Sequence, residues 1–96
     1  MMRGKDRAAL RSAAHHLDPI VHVGQGGITR AVIASLDDAL RTHELVKVQL
    51  GKRLDIAAKE AAEHLAAATD AEVIQVIGHT CTVYRPKPEK ESANSR

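Results

Sequence analysis

Three glycines fall within four residues at Gly24-Gln25-Gly26-Gly27, between the β-branched run Ile20-Val21-His22-Val23 and a helical pattern that begins after Thr29. Glycine tolerates positive φ and lets a ligand approach the backbone closely. The first N–H groups of a helix have no intrahelical partner and stand at the positive end of the helix dipole. A glycine loop that runs into a helix start is therefore suited to an anion, above all a phosphate. Taken alone, the loop is equally compatible with a tight strand-to-helix turn that binds nothing.

Two kinds of phosphate ligand can be weighed. Gly24 and Gly26 match the first two glycines of the dinucleotide pattern G-x-G-x-x-G, but Thr29 stands where the third belongs. The acid expected at the end of the next strand is missing, and Gly51, Lys52 and Arg53 occupy that place. Read instead as G-x-x-G, Gly24 to Gly27 has the form of the loop with which KH-type domains clamp a nucleic-acid backbone. Such a clamp uses N–H groups, small residues and nearby cations rather than aromatic rings. That suits a chain with one Tyr and no Trp or Phe. The same composition excludes the multi-ring platforms of RRM domains and of typical single-strand readers.

Charge placement points the same way. The formal net charge is only +2, yet it is unevenly spread. Arg3, Lys5, Arg7 and Arg11 face a single acid, Asp6, at the start of the chain; Lys47, Lys52 and Arg53 cluster around the second predicted strand; residues 54–84 hold one Lys against five acids. If these segments converge, the molecule has a basic and an acidic side. Arg3, Arg7, Arg11 and His15 recur every four residues along one helix face, a pattern that a solvated surface also explains.

Other reactive side chains are less informative. His15 and His16 are adjacent and cannot chelate as an i, i+4 pair, and His22, His43, His64 and His79 lack metal-ligand spacing. No metal site and no cofactor is expected. Cys81 alternates with Val83 in a strand and reads as a buried thiol, and one cysteine excludes an internal disulfide. Asp37 and Asp38 share a helix with Arg41 and read as a solvated face. Tyr84 reads as strand-end packing, with stacking on a base as the alternative. No residue stands out as catalytic.

The elements that must carry these groups follow from periodicity. Leu10, Ala13, Ala14 and Leu17 predict a helix over 5–17, stopped by Pro19. A strand at 20–23 leads into the glycine loop, and Val32, Ile33, Leu36, Ala39 and Leu40 predict a helix capped by Thr29 and ending near His43. Val46, Val48 and Leu50 alternate with Lys47 and Gln49 in a strand over 45–50. A third helix is expected over 55–69, capped by Asp55. Strands at 72–77 and 80–85 flank Gly78-His79 and form a hairpin. The order α-β-α-β-α-β-β predicts an α/β fold with a mixed four-stranded sheet, helices covering one face and leaving the other partly open. One domain over 3–86 and a disordered polar tail over 87–96 are expected. A chain of this size is expected to lack a large internal cavity. With no apolar run near the roughly 20 residues of a membrane helix, and a charged first segment, a cytoplasmic protein is expected.

In this arrangement HHLDPIVHVGQGGIT, then HELVKVQL, then VIQVIGHTCTVYRP resembles the bacterial single-domain CRM (chloroplast RNA splicing and ribosome maturation) proteins of the YhbY type, over about residues 5–88. The resemblance implies a fold related to KH domains and to the C-terminal domain of bacterial initiation factor three. It also implies RNA binding, with precursors of the large ribosomal subunit as the partner. The family's G-x-x-G loop carries over onto Gly24, Gln25, Gly26 and Gly27, without a basic residue at its two variable positions. Charge must then come from neighbours. The expectation is a non-enzymatic, monomeric RNA-binding protein with no small-molecule substrate. Gly24–Gly27, Thr29 and Arg30 would contact the backbone, while Lys47, Lys52, Arg53, Arg3, Arg7 and Arg11 attract phosphates. A small module that docks on a ribosomal protein through the open sheet face is the alternative.

Overall fold

A computed structural model describes residues 4–52 and 54–86. Arg3, Arg53 and the tail at 87–96 lie outside the described residues. Seven elements follow in the order α1 (Gly4–Ala14), β1 (Val21–Val23), α2 (Arg30–His43), β2 (Leu45–Leu50), α3 (Ala58–Thr69), β3 (Glu72–Ile77) and β4 (Thr80–Tyr84). The three helices and the mixed four-stranded sheet are those the periodicity predicts.

The strand order is β1-β2-β4-β3, with β1 parallel to β2 and the remaining pairs antiparallel. Parallel strands need a long crossover connection, usually a helix, and α2 supplies it between β1 and β2. Both α2 and α3 lie on one face of the sheet. Their buried side chains, Leu36, Leu40, Ala61, Ala62 and Leu65, join Val21, Val23, Val46, Val48, Leu50, Cys81 and Val83 in one core. Alternation along β2 places Val46, Val48 and Leu50 in that core and turns Leu45, Lys47 and Gln49 to the other face.

Three expectations need correction. The second face is more covered than expected: α1 packs across it against β2 and β3, burying Ala14 and Ile74 outside the main core and leaving Thr82 only 1% exposed. What stays open is one row across all four strands, His22, Gln49, Thr80 and Ile77. Secondly, α1 ends at Ala14 rather than Leu17, because the chain tightens into i→i+3 bonds, from His15, His16 and Leu17 to Ser12, Ala13 and Ala14. Thirdly, Asp55 does not cap α3. That helix starts at Ala58, with Ala57 at its N-cap and no side-chain hydrogen bond there. Thr29 does cap α2, its Oγ1 accepting from the Val32 N–H at 3.2 Å.

Candidate nucleic-acid interface

Parallel pairing decides what stands beside the glycine loop. Val23 lies opposite Leu50, so the chains leaving β1 and β2 emerge from the same end of the sheet. The Gly51 N–H donates to the Val23 carbonyl at 2.8 Å. A Cβ on Gly51 would stand 2.9 Å from that oxygen and 3.7 Å from Gly24 Cα. The two loops touch through bare backbone. Within the first, the Gly27 N–H donates to the Gly24 carbonyl at 3.0 Å and closes a four-residue turn. Gly27 has φ +79°, a conformation that L-residues rarely adopt. Gly24, Gln25 and Gly26 are exposed, and no atom crowds the position a Cβ would take at Gly24.

The start of α2 stands just beyond this turn. Thr29 satisfies one first-turn N–H, the first turn carries no acid, and Arg30 is exposed as the first helical residue. The positive end of the helix is thus left uncompensated by any carboxylate of its own first turn, and a cation is added to it. Lys52 is exposed next to Gly51. Gly24–Gly27, Thr29, Arg30 and Lys52 therefore gather at one end of the sheet.

The other cations lie elsewhere. Lys47 is three residues before Leu50, about 10 Å back along the strand, on the face that α1 crosses. Its Nζ donates to the Leu17 carbonyl at 3.2 Å and ties down the segment after α1. Arg7 pairs with Glu72 at 3.0 Å and donates to the Val73 carbonyl at 2.9 Å. Both partners belong to β3, at the sheet edge opposite β1. Arg11 is exposed in the last turn of α1. The arginine stripe is thus divided: one member braces the fold and one faces solvent.

Two features escaped the sequence reading. Arg85 Nη1 donates to Asp37 Oδ1 at 2.7 Å and to the Thr69 carbonyl at 2.8 Å, while Nη2 reaches the Asp37 carbonyl at 3.2 Å. Asp37 also meets Arg41 at 2.9 Å, so it is not merely part of a solvated face. The hydrogen-bonded Arg85 guanidinium holds the Asp37 carboxyl below the usual carboxylate range, with Arg41 helping and burial opposing. The second feature is a shallow depression of about 170 Å³ beside Gly51, lined by Leu50, Lys52, Leu54, Ile56, the start of α3 and the Gly78-His79 turn. Neither shows in a periodicity, because each joins residues distant in the chain.

The Cys81 thiol is buried, and burial pushes it up to about 11, as expected for an unreactive core cysteine. Among the described residues no group of three or more His, Cys, Asp or Glu is placed to hold a metal ion, and no helix is long and apolar enough to cross a membrane.

The fold and its glycine-loop end define a small α/β domain with a basic backbone cradle at a helix start. The chain belongs to the CRS1/YhbY (CRM) domain family, whose model matches residues 2–85. It is 35% identical over 91 residues to "Probable RNA-binding protein YqeI" of Bacillus subtilis, covering 95% of each chain. It is 37% identical over 91 residues to a protein of Haemophilus influenzae named "RNA-binding protein", covering 88% of this chain and 86% of that one. A Staphylococcus aureus protein of known solution structure, described as a candidate RNA-binding protein, superposes with a TM-score of 0.77 at 42% identity, covering 91% of each chain.

Proposed function

We propose that this protein binds RNA without catalysing a reaction, and that it does so in the assembly of the large ribosomal subunit. In this reading an RNA phosphate sits against Gly24–Gly27 and the first turn of α2. Arg30 and Lys52 supply the attraction beside the loop, and the charges of Arg53, Arg11 and Arg3 add long-range attraction to it. Lys47 contributes positive potential from behind the loop. The observation that carries the reading is the contact between the glycine turn and Gly51, which sets exposed backbone, an acid-free helix start and Lys52 side by side. The RNA-binding names of its relatives agree with it.

Gly26 offers a clean test of the clamp. Its φ is not positive, and a Cβ there would only graze the Thr29 methyl at 4.0 Å. Gly26→Ala should therefore fold and bind RNA almost as the wild type does. Gly26→Asp adds a negative charge where the phosphate sits, and should weaken binding at least tenfold, about 1.4 kcal/mol. Equal affinities for the two variants would dismiss the clamp. The assembly role is tested by crosslinking in cells and sequencing the bound RNA. Reads should be enriched in large-subunit precursor sequences over mature ones. Reads that simply follow RNA abundance would dismiss that role.

A further inference from the structure

An RNA strand held at the glycine loop must put its bases somewhere. Unstacked bases usually settle on aromatic rings, and the one Phe, Tyr or Trp in this chain is Tyr84. Tyr84 pairs with Leu45, at the far end of β2 from Leu50, about 17 Å away along the strand. It is out of reach of a nucleotide whose phosphate touches Gly24–Gly27. The depression beside Gly51 is not. Gly51 forms part of its wall and also packs against Gly24 through the missing Cβ. Its floor is aliphatic, from Leu50, Leu54 and Ile56, and Ile56 is 40% exposed, a large apolar side chain left facing water. Exposed Lys52 and His79 stand at its rim and can hydrogen-bond a polar base edge.

We infer that this depression receives one unpaired RNA base, the neighbour of the phosphate held at the glycine loop, packing its face on Leu54 and Ile56. The inference rests on the RNA-binding reading above and adds to it a base-contacting site. An aliphatic floor recognises the flat apolar face common to all bases, so the pocket favours single-stranded over duplex RNA without fixing a sequence. Occupancy removes the exposed surface of Ile56 from water, the usual driving force for such packing.

The test compares two fluorescein-labelled RNA probes of twelve nucleotides. One is a single strand of mixed sequence. The other has the same sugar-phosphate chain with abasic riboses, so phosphate contacts are equal and only bases differ. The wild-type protein should bind the base-bearing probe at least fivefold more tightly. Ile56→Ser, at a half-exposed position that tolerates polarity, should bring that ratio close to one while leaving the affinity for the abasic probe unchanged. His79→Ala, on the exposed rim, should lower the ratio partway. If the wild type binds both probes equally, the base site is wrong and the phosphate clamp survives. A ratio that persists in the folded Ile56→Ser variant puts the base elsewhere and also overturns the site. Binding of neither probe would overturn the site together with the RNA-binding reading.

Discussion

Arg85 reaches three acceptors with one guanidinium, and those acceptors belong to α2 and to the end of α3. Just past β4, it ties the last strand to both helices of the main core. Its side chain is 22% exposed and that of Asp37 35%, so solvent screens part of the attraction. Arg85→Ala should still lower stability by about 1–3 kcal/mol, because charged hydrogen bonds to partly buried groups are lost together. Thermal melts at pH 7 measure this. The lowered Asp37 pKa fixes the sign of a pH effect. Its carboxylate contributes stability above the ordinary aspartate range, and this is lost as the pH falls through the depressed folded value. Asp37→Asn should therefore flatten the acid side of the stability curve, with little change in its shape above pH 6. A variant as acid-sensitive as the wild type would assign the acid limb to other carboxylates.

Among the elements, the glycine positions separate by backbone need. Gly51→Ala places a methyl 2.9 Å from the Val23 carbonyl. It should push β1 from β2 and reduce stability by about 1–3 kcal/mol, as overpacking usually does, weakening RNA binding at the same time. Gly78→Ala adopts φ +59° at the hairpin, with open space around it. It should be destabilised by about 1–2 kcal/mol through backbone strain, with affinity for the abasic RNA probe intact. Melting curves and RNA titrations on the two variants check that contrast. The same split explains what could be read before the fold was known. The spacing of Val32, Leu36 and Leu40 and the alternation of Val46, Val48 and Leu50 each lie within one element, and both were legible. So were the Thr29 cap and the Gly78-His79 turn. The start of α3 was misread because Asp55 looks like a cap, yet Leu54–Ala57 is needed to carry the chain from the glycine junction to the helix. The cover of α1 over Thr82, the pairing of Arg7 with Glu72 and the clasp of Arg85 on Asp37 depend on strand order. No local period encodes that order.

On the scale of the molecule, sheet order sorts the cations into two groups. Arg30 and Lys52 sit at the end that carries the glycine loop, whereas Arg7 is engaged at the β3 edge. Replacing Lys52 by Gln should lower the slope of log K against log salt by roughly 0.7–0.9, one counterion's worth. Arg7→Gln should leave that slope unchanged and shift only the melting temperature, and slightly, since a half-exposed ion pair contributes about 0–1 kcal/mol. Equal slopes for Arg7→Gln and Lys52→Gln would mean that RNA does not distinguish the two ends. The sheet order has another outcome, in time rather than in space. Among the described residues β4 is the last strand in sequence, yet it lies between β2 and β3 and pairs with both. Until residues 80–84 have been synthesised and released from the exit tunnel, β2 and β3 have no common neighbour and the main core lacks Cys81 and Val83. The sheet is therefore completed only once β4 has left the tunnel. A nascent chain stalled before Thr80 should remain as protease-sensitive as an unfolded one, and extension through Tyr84 and beyond the tunnel should bring protection in a single step.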